Sequence, residues 1–531
     1  MAGPDAASFA DRYDAGAPQL VWRRRLADLE TPVSAYLKLA EGRRSTLLLE
    51  SVEGGEVRGR YSVIGLEPDL IWRAFGDRAE VSRPFTGSDA FHPCDDHGGA
   101  LPALRALLGE SALQLPEGAP PLAAGVFGYL GYDMVRLIER LSAPNPDPIG
   151  APDAVLLRPT VVAVFDALRQ DIFLATPVRP AANVTASEAL AEACARLDNA
   201  EARLDAPLSE AALRRIPIDA DRPSDSEPSG DGKPFSSNTS EERYREMVEA
   251  ARRYIVEGDI FQAVVSQRFS APFAAPPFLL YRTLRRTNPA PFLFFLDLDD
   301  GALVGSSPEI LVRLRGREVT VRPIAGTRPR GATPATDAAL EAELLADPKE
   351  RAEHLMLLDL GRNDVGRVAE IGTVSVTEQY VVERYSHVMH IVSNVTGALR
   401  DDLDALDALI AGFPAGTVSG APKIRAMEII DELETHKRGP YGGAVGYFSA
   451  SGDMDTCIVL RTAFIREGTI HVQAGAGVVA DSKPEAERLE TVAKARAVIA
   501  AAEIAERAHA SARGGDDDLS ASGAGQAPYD S

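Results

Sequence analysis

Apolar residues recur at spacings of three, four and seven along residues 349–368, KERAEHLMLLDLGRNDVGRV, and that period predicts a helix. Glu353 shares the face of Met356, Leu357 and Leu360. A carboxylate on an apolar stripe is costly to bury, so Glu353 either pairs with a buried Arg or Lys or forms half of a metal site. The last helix poses the same question. Ser482, Pro484 and Glu485 predict its start as a capping box. It runs to about Glu506, with Glu490 over Ala493, Lys494 and Ala497. Two such glutamates can hold one hard divalent ion, since Mg2+ takes one or two protein carboxylates plus substrate oxygens.

Elsewhere the pattern is mostly that of strands. Residues 1–17 read as a loose tail, followed by a Trp-containing strand, the apolar run Thr46–Leu49 and a second strand at 60–65 across a Gly turn, a hairpin signal. Residues 121–135 read as a Gly-rich strand leading into a helix. Strands at 155–164 and 171–175 and a helix at 187–204 follow. Residues 217–239 are rich in Pro, Ser, Asp and Gly, cannot repay the entropy of ordering, and predict a flexible linker. This divides the chain into an N-terminal portion, 18–216, and a C-terminal portion, 240–508, with a disordered tail over 509–531.

In the second portion Ser240 to Gly258 predicts a helix and 260–266 a strand, in which Gln262 reads as an outward-facing polar position. A helix near 277–286 and strands at 292–298 and 302–305 precede Ser306–Glu309, which reads as a short helix or turn. Strands near 311–315, 318–323, 373–380 and 385–396 surround the central helix. A helix at 423–435 follows the small-residue loop 413–423, which lacks the order of a nucleotide-binding P-loop.

Composition narrows the class. The chain has 531 residues and is 45% hydrophobic and 25% charged, as in soluble globular proteins. No apolar run reaches the length of a membrane span, and the acidic N-terminus does not read as a secretory signal. A net charge of −22 disfavours nucleic acid and anionic membranes. Surface charge is screened over about 8 Å, so a local cluster of Arg and a divalent ion can still bind a small anion. Three cysteines, Cys94, Cys194 and Cys457, argue against a disulfide framework and for the cytoplasm. The His92–Cys94–His97 loop invites a metal reading but lacks a second ligand pair at zinc spacing.

The second portion resembles the chorismate-binding enzymes, nearest the synthase subunits that make anthranilate. The residues that carry the likeness are GSSPEILVR (305–313), PIAGTRPRG (323–331), the 350–368 helix, FPAGTVSGAPKIRAMEI (413–429), YGGAVGY (441–447), DTCIVLRTA (455–463) and QAGAGVVADS (473–482). LLLES (47–51) and FGYLGYD (127–133) extend it, more weakly, into the regulatory portion. The likeness implies a mixed α/β (α+β) fold with a large antiparallel, sandwich-like sheet core and helices outside.

It also implies chemistry. Ammonia adds to chorismate beside the carboxylate-bearing carbon, the ring hydroxyl leaves, and elimination of pyruvate gives anthranilate. By resemblance Glu353 and Glu490 are the Mg2+ ligands. Gly326, Thr327, Tyr441, Arg461, Gly475, Ala476 and Gly477 bind substrate. Glu309 is the general acid and His390 moves a proton, with Gln262 and Thr417 in the catalytic set, whereas His387 has no counterpart. Relatives that add water carry Lys where Gln262 stands. Aminodeoxychorismate synthases carry Lys where Ala325 stands. The alternatives are therefore the folate-branch enzyme, a relative that stops at aminodeoxyisochorismate, and a catalytically silent partner protein. No Cys sits in a glutaminase-type nucleophile turn, which implies a separate glutamine amidotransferase subunit and a hetero-oligomer. Ser51 and Pro291-Phe292-Leu293, where the family commonly has Pro-Tyr-Met, match a site for feedback by tryptophan.

Overall fold

The computed structural model describes residues 3–51, 59–84, 88–209, 235–385 and 388–521. Its strands pair antiparallel, and they join the two portions of the chain. Thr46–Glu50 lies between Tyr61–Phe75 and Phe292–Leu298, with Leu47 opposite both Gly65 and Leu296. Gly125–Leu130 pairs with Ala444–Ser449 through Gly128 and Gly446. A Cβ on Gly128 would lie 2.0 Å from the Val155 carbonyl oxygen, so the FGYLGYD glycine admits a neighbouring backbone. The boundary predicted at 217–239 therefore does not separate two independent sheets.

Apolar side chains fill the sheet interior, among them Leu47, Phe127, Leu157, Phe294 and Phe464. Helices cover the outside. On one side Pro277–Thr287 and the C-terminal helix pack Leu280, Leu284, Val498 and Ala502 together. On the other, Leu358, Val365, Leu406 and Leu409 seal the helices Pro348–Gly366 and Ala405–Gly412. No helix among the described residues is long and apolar enough to cross a membrane.

Several elements differ from the sequence expectation. Residues Ala6–Asp14 form a helix capped by Asp5, because Phe9 and Tyr13, four residues apart, both bury into the core. A helix also forms at Pro32–Leu39, with a Thr31–Ser34 capping box. The central helix is preceded by another, Pro334–Ala346. The break falls at Asp347, whose carboxylate caps Lys349 and Glu350 ahead of Pro348. Ser306–Glu309 is extended, joining the strands Gly301–Ser307 and Ile310–Arg315.

The last helix spans Pro484–Ala521, past Glu506 and into the predicted tail. Its predicted capping box does not form. Ser482 instead accepts from the Val479 N–H behind it, and Glu485 pairs with Arg245 and Arg488. Residues 217–234 of the predicted linker, and His387, lie outside the described residues. Ser236–Ser237 pairs with Phe269 and Ser270.

Candidate active site

Glu309 sits where Pro308 interrupts two strands, and it is 6% exposed. Its backbone carbonyl accepts from Ile458 N–H at 3.0 Å, which fixes the residue against the Met454–Ile458 strand. Its carboxyl accepts from the Thr417 hydroxyl at 3.2 Å. Burial pushes its pKa up to about 8, against the opposing pull of Thr417, the Ile324 backbone and Lys494. At neutral pH the group is a carboxylic acid with a proton to give.

His390 lies in the Val388–Ala398 strand opposite Thr327. Its Nδ1 is 3.0 Å from the Gly326 carbonyl, which can only accept, so Nδ1 carries the hydrogen. The Thr327 hydroxyl stands 3.0 Å from the same nitrogen. Nε2 is then left with its lone pair. Burial, above all, lowers the imidazole pKa to about 4, and the Arg461 charge adds to this, so the ring is neutral.

Arg461 adopts a left-handed backbone, φ +47°, at a strand junction. Its half-buried guanidinium has no carboxylate partner among the described residues, and burial lowers its pKa. A desolvated, unpaired cation held in a strained conformation is a group waiting for an anion. Tyr441 lies at the wall of the same region, its hydroxyl against Gly475, where a Cβ would come within 2.7 Å of it. A Cβ on Gly477 would lie 2.4 Å from the Gln262 amide nitrogen. These two glycines let side chains from facing elements touch the Thr469–Val478 strand. Ala476 lies between them on the opposite face, so only its backbone is available to a ligand.

Gln262 is not the outward polar position that alternation suggested. It is 3% exposed and faces Glu353, donating to its carboxylate at 3.4 Å, and its Oε1 is buried without a partner among the described residues. Glu353 has no basic partner within ion-pair distance among the described residues. Burial raises its pKa first, then the charges of Glu350 and Glu490. Glu490 does have a basic neighbour, Lys494, at 2.7 Å.

Lys494 shares a helix face with Glu490, and the sequence pattern assigned it no role. It also donates to the Gly475 carbonyl at 3.0 Å, and its charge acts on Glu309, Glu353 and His390. It therefore marks the point where the acid, the base and both candidate metal ligands converge. Its signal was the i, i+4 spacing from Glu490. Two carboxylates without full charge compensation and a free amide oxygen suit a hard divalent cation. No group of three or more His, Cys, Asp or Glu among the described residues is placed to hold a metal ion, the His92–Cys94–His97 loop included.

A cavity of about 250 Å3 lies elsewhere in the sheet. Ser51, Pro291, Phe292 and Leu293 all line it, with Tyr447 and Asp455. Asp455 Oδ2 accepts from Arg313 and Arg315, while its Oδ1 is buried without a partner among the described residues. None of Glu309, Glu353, His390 and Arg461 lines this cavity.

A family model described as chorismate binding enzyme matches residues 71–500. Anthranilate synthase component 1 of Cereibacter sphaeroides is 56% identical over 500 residues, covering 94% of this chain and 97% of the relative. The Thermus thermophilus protein of the same name is 48% identical, covering 91% and 97%. The crystal structure of anthranilate synthase component I from Streptococcus pneumoniae superposes with a TM-score of 0.70 at 35% identity, covering 90% of this chain and 99% of that one. The menaquinone-specific isochorismate synthase of Escherichia coli shares the fold, with a TM-score of 0.65 at 17% identity, over 94% of this chain and all of the other.

Proposed function

The chain belongs to the chorismate-binding enzyme family, and from that premise we propose that its site aminates chorismate and expels pyruvate to give anthranilate, as the component 1 of an anthranilate synthase. The observation that carries the reading is a buried Glu309 carboxyl held by Thr417 and a buried His390 ring held at Nδ1 by the Gly326 carbonyl, both in the field of Lys494. The substrate is a dianion. The Arg461 fork is suited to one carboxylate, and Tyr441 with the Gly475–Gly477 backbone to the groups beside it.

The chemistry needs an acid first and a base second. Glu309 donates its proton to the departing ring hydroxyl as ammonia forms the new carbon–nitrogen bond. His390 Nε2 then takes the proton from the aminated carbon, the carbon–oxygen bond to the enolpyruvyl group breaks, and the ring becomes aromatic. Gln262 cannot act as a base toward water, which favours ammonia as nucleophile. Ala325 cannot form the covalent link that a lysine there would. Glu353 and Glu490 would hold Mg2+, with Gln262 Oε1 beside them. Bound there, the ion would supply a Lewis acid for the ring carboxylate, and the protein would be a magnesium-dependent lyase.

Ammonia comes from a separate glutamine amidotransferase subunit. Cys194 lies in a helix and Cys457 is buried in a strand with its thiol pKa pushed far up by burial, so neither is a glutaminase nucleophile. The three free thiols fit a reducing cytoplasm. The cavity at Ser51 is the site for tryptophan, the pathway's end product, acting as inhibitor. The test is product identity: purified chain with chorismate, Mg2+ and an ammonium salt should yield fluorescent anthranilate without glutamine or an added lyase. A non-aromatic aminated product would assign it to the alternative branches.

A further inference from the structure

Arg438 and Glu434 form a buried ion pair outside the residues so far assigned to the reaction, 3% and 7% exposed. Arg438 Nε donates to Glu434 Oε2 at 2.9 Å and Nη2 to Oε1 at 2.6 Å. The rest of the fork is spent on backbone: Nη1 donates to the Val418 carbonyl at 2.7 Å, and Nη2 to the Val264 carbonyl at 2.6 Å. Glu434 Oε1 in turn accepts from Ser266 N–H at 2.7 Å and Ser266 Oγ at 2.8 Å. The guanidinium lies 4.6 Å from the Tyr132 ring centroid and 5.6 Å from that of Tyr441.

Each grip falls beside a reacting group. Val418 follows Thr417, whose hydroxyl binds Glu309. Val264 lies two residues from Gln262 on the same strand face. Tyr441 touches Gly475 on the substrate side. A buried ion pair is a poor source of stability, because well-packed apolar side chains do as well or better. A planar fork that ties two backbone segments together is something an apolar replacement cannot reproduce. We propose that the Arg438–Glu434 pair positions the active site, setting the Thr417–Glu309 contact through Val418, the Gln262 strand through Val264, and the Tyr441 ring through its face. The inference rests on the catalytic reading of Glu309 given above.

Steady-state kinetics with chorismate, Mg2+ and ammonium on Arg438→Lys, Thr417→Ala and the double variant test it, with Glu309→Gln as control. Lys keeps the charge but cannot reach both carbonyls. The expected result is a fall in kcat of about tenfold or more for Arg438→Lys, with a double variant no more than about threefold below the worse single one. A role confined to stability predicts a lowered melting temperature with losses that multiply, and that result, or an unchanged kcat, overturns the proposal. If Arg438→Lys does not fold, the isosteric Glu434→Gln replaces it in the same cycle, with the same two outcomes. Full activity of Glu309→Gln would instead sink the catalytic reading, which separates the two failures.

Discussion

Thr417 donates its hydroxyl to the Glu309 carboxyl at 3.2 Å, and this is a contest between hydrogen bonding and burial that burial wins. The bond favours the ionised form, desolvation the neutral one, and the pKa ends at about 8. An acid works only while protonated, so kcat measured against pH should fall above about 8. Thr417→Val removes a group that lowers the pKa, and should move that alkaline limb upward. Glu309→Gln has no proton to give and should lose about 10²–10⁴-fold in kcat, with the chorismate KM little changed.

Arg461 carries a half-buried charge with no carboxylate partner among the described residues, a cost to the free protein. Arg461→Gln should lower kcat/KM for chorismate by about a hundredfold, the effect of losing a charge-assisted contact of about 2–3 kcal/mol. Calorimetry of the same variant should give a melting temperature equal to or above that of the parent, since the removed charge was half-buried and unpaired. A marked drop in melting temperature would mean that Arg461 serves the fold.

Glu353 carries the corresponding prediction for the metal. Its folded-state pKa lies above that of the unfolded chain, chiefly through burial. Its contribution to stability is therefore greatest below the unfolded value and is lost as pH rises through the folded one. Glu353→Gln should raise the metal-free melting temperature near neutral pH. Parent protein should gain stability on adding Mg2+, as any ligand of the native state requires, while the variant should not respond. A Mg2+ response retained by Glu353→Gln would move the ion elsewhere.

What the sequence made legible follows from which signals are local. The helix Glu241–Glu257 announces itself by Ser240 at one end and Gly258, left-handed at φ +87°, at the other. The paired strands of the hairpin near Gly65 and the long motifs of the second portion were equally readable. Face and partner were not. Period-two alternation places Gln262 on one side of a strand without saying whether that side is solvent or the site. The Phe9–Tyr13 pair is only one turn of a helix in a polar segment, too short for periodicity to register. Lys494 and Arg438 act through contacts across elements. The Arg438 fork reaches Val264, 174 residues away. No window along the chain contains that relation.

Ser51 tests the cavity lined by Tyr447 and Asp455. It lies at the edge of a space of about 250 Å3, and its Oγ accepts from Gly59 N–H at 2.7 Å. Ser51→Phe would put an aromatic ring into that space. The variant should keep most of its ammonia-dependent activity and lose inhibition by tryptophan, read as a shift of the inhibitory concentration by about tenfold or more. Inhibition retained at the parent concentration would put the effector elsewhere.

The most direct measurement follows isotopically labelled ammonium through one reaction. Purified chain, Mg2+, chorismate and 15N-ammonium should give 15N-anthranilate and pyruvate in equal amounts, each matching the chorismate consumed. Unlabelled product, isochorismate, or an aminated ring that retains its enolpyruvyl group would contradict the account.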